Sequence, residues 1–113
     1  MIKIYHNPRC SKSRQGLQFL EESNQEFEVI KYLDNPLSKE ELTKLVVLLK
    51  IKPIELVRKN EAIWKENYKN KTLTDTQIIE ALVTNPKLME RPIITNENKA
   101  VIGRPTELIK TIL

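Results

Sequence analysis

The chain has 113 residues, 40% of them hydrophobic and 30% charged, with a formal charge of +4 at pH 7. That composition suits one compact domain and excludes wholesale disorder. Its one cysteine excludes an internal disulfide framework and any metal site built from several thiolates.

In chain order, Met1-Ile2-Lys3-Ile4-Tyr5 opens with the alternation of a short first strand. His6-Asn7-Pro8-Arg9 ends it before a signal-peptide core could form. No apolar run approaches the roughly 20 residues of a membrane span. The expected location is therefore the cytoplasm, with no membrane partner. A helix is expected over 11–22, where Leu17 and Leu20, with Ser13 and Phe19, make a partly apolar stripe. Phe27-Glu28-Val29-Ile30-Lys31-Tyr32 reads as a second strand. A strand–helix–strand opening normally requires a parallel pair and a right-handed crossover.

Ser38-Lys39-Glu40-Glu41 marks a capped helix start, followed by Leu42, Leu45, Val46 and Leu49 at helical spacing. Another helix is expected after Pro53, carrying Leu56 and Val57. Thr74-Asp75-Thr76-Gln77 repeats the capping pattern before Ile78, Ile79, Leu82 and Val83, and Asn85-Pro86 opens a short helix through Met89. Residues 37–90 thus read as a helical insertion without a strand. Ile93-Ile94-Thr95, a turn at Asn96-Glu97-Asn98 and Ala100-Val101-Ile102 read as a hairpin. Gly103-Arg104-Pro105 then leads to a closing helix with Leu108, Ile109 and Ile112. The order β-α-β, helical insertion, β-β-α predicts a single α/β domain over 1–113.

The charge is uneven. Residues 50–71 hold seven basic side chains (Lys50, Lys52, Arg58, Lys59, Lys65, Lys69, Lys71) against three acids, Glu55, Glu61 and Glu66. Such a stretch either attracts a small anion or nucleic acid, or is simply a solvated face. Trp64 and Tyr68 are its only rings, which disfavours a stacking platform for single strands.

Cys10 falls between the first strand's turn and the expected helix, where unpaired amides and the helix dipole favour an anion. Arg9, Lys12 and Arg14 add positive charge. The position suits a reactive thiolate, with the amides of 11–13 free to hold an oxyanion. A small buried hydrophobe is the other reading. Position 13 is Ser13, so no Cys-x-x-Cys centre exists, and Gly16 stands where a Cys-x5-Arg phosphatase loop requires arginine. Any adduct on Cys10 needs an external thiol to resolve it. His6 either activates that thiol or is a structural histidine. One His and one Cys make no metal cluster.

His6-Asn7-Pro8-Arg9-Cys10-Ser11-Lys12-Ser13-Arg14 resembles the active loop of the glutaredoxin-coupled arsenate reductase family. Leu56-Val57-Arg58-Lys59-Asn60, Glu90-Arg91-Pro92-Ile93 and Gly103-Arg104-Pro105 resemble its later segments, in the same order. The resemblance covers nearly the whole chain. It implies a thioredoxin-like mixed sheet with a helical insertion, and a cis proline at Pro92. It also implies Cys10 as nucleophile, Arg58, Arg91 and Arg104 around the oxyanion, and His6 and Ser13 in thiolate activation. Ser11, Lys12 and Ser13 would add substrate contacts. The implied activity, part of arsenic detoxification, reduces arsenate to arsenite with glutathione as consumed reductant. Glutaredoxin would regenerate Cys10, and no cofactor would be tightly held. Arg9, Ser11 and Lys12 stand where such loops often carry smaller or less basic residues, and Gly103 where some members carry cysteine. These departures point to an arsenate-reductase-related branch whose oxyanion can differ.

Two other readings fit parts of the chain. Cys10-Ser11-Lys12-Ser13 could serve a monothiol glutathione-linked oxidoreductase, which leaves the three arginines unexplained. The basic stretch could serve a noncatalytic regulator bound to transcription machinery. Ser13 removes the Cys-x-x-Cys switch common among such relatives, and no nucleic-acid reading motif accompanies the lysines.

Overall fold

The computed structural model describes residues 1–113 and divides into two compact units, Met1–Asn35 with Arg91–Leu113, and Pro36–Glu90. The first carries the sheet. Strands β1 (Ile2–Tyr5), β2 (Phe27–Ile30), β3 (Ile93–Asn96) and β4 (Lys99–Ile102) lie in the order β2-β1-β3-β4. β1 pairs parallel with β2, while β1–β3 and β3–β4 are antiparallel. With helix α1 (Ser11–Glu22) bridging the parallel pair, this is the mixed, thioredoxin-like α/β sheet with a helical insertion that the sequence implied.

The core of this unit follows from two periodicities. Ile2 and Ile4 alternate inward along β1 and meet Leu20 of α1, Ile94 of β3, and Ile109 and Ile112. The last two belong to a 3-10 helix over Thr106–Ile112, where the sequence pattern had predicted an ordinary closing helix. At three residues per turn, Ile109 and Ile112 share one buried face, while Leu108 is turned outward. The second strand is also shorter than the expected 27–32. The His6 amide donates to Ile30 O at 2.8 Å and closes the pairing. Beyond it, the amides of Asp34 and Asn35 both return to Lys31 O, at 3.0 and 2.9 Å. Tyr32 is therefore buried in a turn and has no ladder position.

Gly16 is where α1 meets Pro92. A Cβ built there would lie 2.8 Å from Pro92 Cγ, too close for carbon atoms, and 3.5 Å from Ile109 Cδ1. Gly16→Ala should destabilise the chain by about 1–2 kcal/mol, the overpacking cost exceeding the gain in helix propensity. Denaturant unfolding tests this, and a variant at least as stable as the parent would refute it.

The second unit contains α2 (Lys39–Leu49), α3 (Ala62–Asn67) and α4 (Asp75–Thr84), with 3-10 turns at Pro53–Leu56 and Pro86–Leu88. Both expected capping boxes form. Ser38 Oγ accepts from the Glu41 amide at 3.1 Å while Glu41 Oε1 accepts from the Ser38 amide at 3.0 Å. Thr74 and Gln77 exchange the same bonds at 3.2 and 2.8 Å. Leu42, Leu45 and Val46 of α2 and Ile78, Ile79 and Leu82 of α4 are buried, and the two helices pack together. The helix expected after Pro53 is a single 3-10 turn. Val57 leaves it to form an isolated antiparallel bridge with Met89, so the insertion does hold one strand-like contact. The short α3 buries only Trp64, which explains why it has no apolar stripe in the sequence. No helix is long and apolar enough to cross a membrane.

Candidate active site

Strand register gathers the candidate residues of the first unit. Tyr5 is paired with Ile30 and Ile93, and Ile93 with Ile102. Residues 6–10 follow Tyr5, Arg91 and Pro92 precede Ile93, and Gly103 and Arg104 follow Ile102, so all leave the sheet at one end. The Gly103 amide donates to Pro92 O at 2.8 Å, continuing the ladder to the arginine-bearing segments. Both Arg91-Pro92 and Arg104-Pro105 are cis. The first was implied by resemblance; the second was not anticipated.

The loop before α1 is built by Asn7. Its carbonyl accepts from the Cys10 amide at 3.0 Å and its Oδ1 from the Arg9 amide at 3.0 Å. Cys10 is then the N-cap, extended at φ −97° and ψ 123°, and Arg14 N closes the first helical bond onto Cys10 O at 3.0 Å. Arg14 Nη1 donates to Pro8 O at 3.0 Å, so this arginine braces the loop.

Arg91 Nε donates to Cys10 Sγ at 3.1 Å. Cys10 is buried, at 9% exposure. Burial pushes the thiol up. The Ser13 amide, the Arg91 charge, the Lys12 amide and the Arg91 hydrogen bond together outweigh it, leaving the thiol below its ordinary range. Two of the three amides expected from position alone, those of residues 12 and 13, thus favour the thiolate.

His6 is directed at Ser13. The two share a hydrogen bond, Nδ1 to Oγ at 2.6 Å, and the Asn7 amide donates to the same Oγ at 2.9 Å. Both side chains are buried, His6 at 4% and Ser13 at 0% exposure. Burial lowers the imidazole pKa from 6.5 and Lys31 lowers it further; the bond to Ser13 opposes this, and Arg14 lowers it again. The ring is therefore neutral at pH 7. Since the unfolded chain binds the proton more tightly, this histidine's contribution to stability is complete above pH 6.5 and is lost as pH falls through the depressed folded value. His6→Asn should remove that acid-side slope, at most about 1.4 kcal/mol per pH unit for one proton. Unfolding free energies from pH 7 downward test this; equal slopes in both proteins would refute it.

Ser11 and Lys12 lie exposed on the first turn of α1. Arg104 is half-buried at the sheet end beside Pro92's segment. Arg58, in the other unit, is held by Glu61, Nη2 to Oε1 at 3.0 Å, while its Nη1 donates to Lys87 O at 3.2 Å. Sequence reasoning missed Glu61 as this partner, although the i,i+3 spacing pointed to it. It also missed Asn7 as the residue that shapes the loop and Gly16 as the seat of Pro92. No group of three or more His, Cys, Asp or Glu could hold a metal ion.

Residues 5–112 match the model of the ArsC family. The chain is 46% identical to the uncharacterized protein YfgD of Escherichia coli strain K12, covering 99% of this chain and 96% of that protein. It is 40% identical to an arsenate reductase of Neisseria meningitidis serogroup A, covering 99% and 97%. The solved arsenate reductase from Vibrio cholerae superposes with a TM-score of 0.94 at 40% identity, covering 99% of this chain and 97% of that one. The chain belongs to the ArsC family, as an oxidoreductase-type enzyme with a single cysteine.

Proposed function

We propose that this protein reduces arsenate to arsenite, with Cys10 as nucleophile, glutathione as electron donor and glutaredoxin as the protein that restores the thiol. The observation that supports this most is the 3.1 Å bond from Arg91 Nε to Cys10 Sγ, in a position where burial alone would have kept the thiol neutral. A thiolate held this way can attack an oxyanion. At about 4 Å and an effective dielectric near 20, two unit charges repel by roughly 4 kcal/mol, so the attack needs cations that serve both partners.

In the first step the sulfur bonds to arsenic, and one arsenate oxygen leaves as water after taking up a proton. Arg91 and Arg104 hold the remaining oxygen charge, and Arg58, which the resemblance groups with them, is assigned the same role. Ser11, Lys12 and Ser13 supply further contacts from the start of α1. In the second step a glutathione thiolate attacks Cys10 Sγ. The new S–S bond forms, and the sulfur–arsenic bonding pair stays on arsenic, which passes from As(V) to As(III) and leaves as arsenous acid after two protonations. Glutaredoxin then takes the glutathione from Cys10 by thiol–disulfide exchange. His6 acts through Ser13: it fixes the hydroxyl and with it the turn whose amide faces the sulfur. The reaction is expected in the cytoplasm, where reduced glutathione is supplied.

The chain has one cysteine, so arsenite should accumulate beyond one per protein only with both external thiols present. Arsenite release from the purified protein, with the complete relay and with each thiol omitted, tests the proposal. Arsenate-independent turnover of glutathionylated thiols, with no arsenite formed, would overturn it in favour of a monothiol oxidoreductase.

A further inference from the structure

The unit Pro36–Glu90 carries a cationic feature of its own. A cavity of about 470 Å³ is lined by Lys59, Lys65, Lys69 and Lys71, with Asn60 and Trp64, and no carboxylate lines it. All four lysines are exposed. The salt bridges that join Met1 to Glu97, Lys39 to Glu80, and Arg58 and Lys87 to Glu61 involve none of these lysines. Of the three acids in this stretch, Glu61 and Glu55 are engaged elsewhere, and Glu66, exposed and next to Lys65 in the chain, does not line the cavity. Glu61 is occupied by Arg58 at 3.0 Å and Lys87 at 3.9 Å, and Glu55 Oε2 accepts from the Lys52 amide at 2.7 Å. Four like charges therefore line one concavity with no carboxylate among them, and the cavity focuses their field.

The floor of the cavity limits what can fill it. Trp64 is only 6% exposed and stacks on Tyr68, with ring centroids 5.4 Å apart. A nucleic-acid base has no open indole face there, so recognition must come from charge. Lysine ammonium groups act as compact point charges suited to phosphate oxygens, without the planar fork that matches a carboxylate. One phosphate has too little charge to balance four lysines.

We propose that this cavity binds a small anion bearing several linked phosphate groups, such as tripolyphosphate or the phosphate chain of a nucleoside triphosphate. Neutralising the four ammonium groups drives binding, and Asn60 adds a neutral hydrogen-bonding group. The site uses none of the residues assigned to the chemistry at Cys10.

Trp64 is the only tryptophan in the chain, so its fluorescence reports on this cavity. Titrating the full-length protein with tripolyphosphate should give a saturable change that weakens with added salt, as screened charges require. Lys65→Gln combined with Lys69→Gln should weaken binding by about tenfold or more, with arsenite formation unchanged. Arg91→Ala should leave the tripolyphosphate affinity as it was, which separates this cavity from the sulfur site. Adenosine triphosphate binding with similar affinity would identify the phosphate chain as the recognised part. The proposal is overturned by an unsaturable response, by equal affinity for citrate, by binding that survives the lysine substitutions, or by preferential binding of a single-stranded oligonucleotide.

Discussion

Cys10→Ser should abolish arsenite formation, lowering turnover by at least about 10³-fold. The size of the effect comes from two separate needs. A serine hydroxyl stays protonated at pH 7, and neither Arg91 nor the amides of Ser13 and Lys12 can make it an adequate nucleophile. The second step also requires sulfur, because it ends in a sulfur–sulfur bond that returns an electron pair to arsenic. Oxygen at this position has no equivalent route. The substitution is nearly isosteric at a site 9% exposed, so unfolding should shift by no more than about 1 kcal/mol. Mass spectrometry after incubation with arsenate and glutathione should find one glutathione on the parent protein and none on the variant. Arsenite production by Cys10→Ser at the parent rate would remove the thiol from the mechanism altogether.

Local chemistry made much of this site legible in the sequence. The bounds of α1 follow from a strand broken by Asn7-Pro8 and the apolar spacing of Leu17 and Leu20, and they match Ser11–Glu22. Both capping boxes are reciprocal bonds between residues three apart, so Ser38 and Thr74 could be placed without tertiary information. The anion-favouring amides at 12 and 13 follow from Cys10 standing at a helix start. What could not be read depends on packing between distant segments. The end of β2 at Ile30 is set by where β1 runs out of partners, whereas Phe27 to Tyr32 keep strand-like character throughout. The closing segment is 3-10, and the sequence could not show this because Ile109 and Ile112, three apart, share a buried face in either kind of helix.

The contrast is sharpest at the histidine and the arginines. The residues alone left His6 either activating the thiol or structural, and its hydrogen bond goes to Ser13, seven residues on. Only the folding of α1 back over the end of β1 brings those two together. Nothing local distinguishes Arg91, which reaches the sulfur, from Arg58, which is held by Glu61 inside its own unit. The family resemblance treated the three arginines alike; in the structure Arg91 donates to Cys10 Sγ, whereas Arg58 donates to Lys87 O and pairs with Glu61.

Arg91→Ala is the substitution that probes this arrangement most directly. One guanidinium both donates to Sγ at 3.1 Å and lowers the thiol by its charge, and in the proposed first step it also faces an arsenate oxygen. Losing one such preorganised donor should lower kcat/KM by about 10²–10³-fold. The thiol titration should respond as well. The Cys10 thiol lies below its ordinary value of 9.0, so its stabilising contribution is complete above pH 9.0 and is lost as pH falls through the depressed folded value. Without Arg91, burial is opposed only by the Ser13 and Lys12 amides. The midpoint of the alkylation rate against pH should therefore move upward, and the alkaline gain in stability should shrink. Arg91→Lys keeps the charge but loses the directed Nε donor, so it should restore part of the titration and less of the turnover. If Arg91→Ala left both the alkylation midpoint and arsenite formation unchanged, the bond to Cys10 would be a packing contact, and the cationic partner of the thiolate would have to be sought elsewhere.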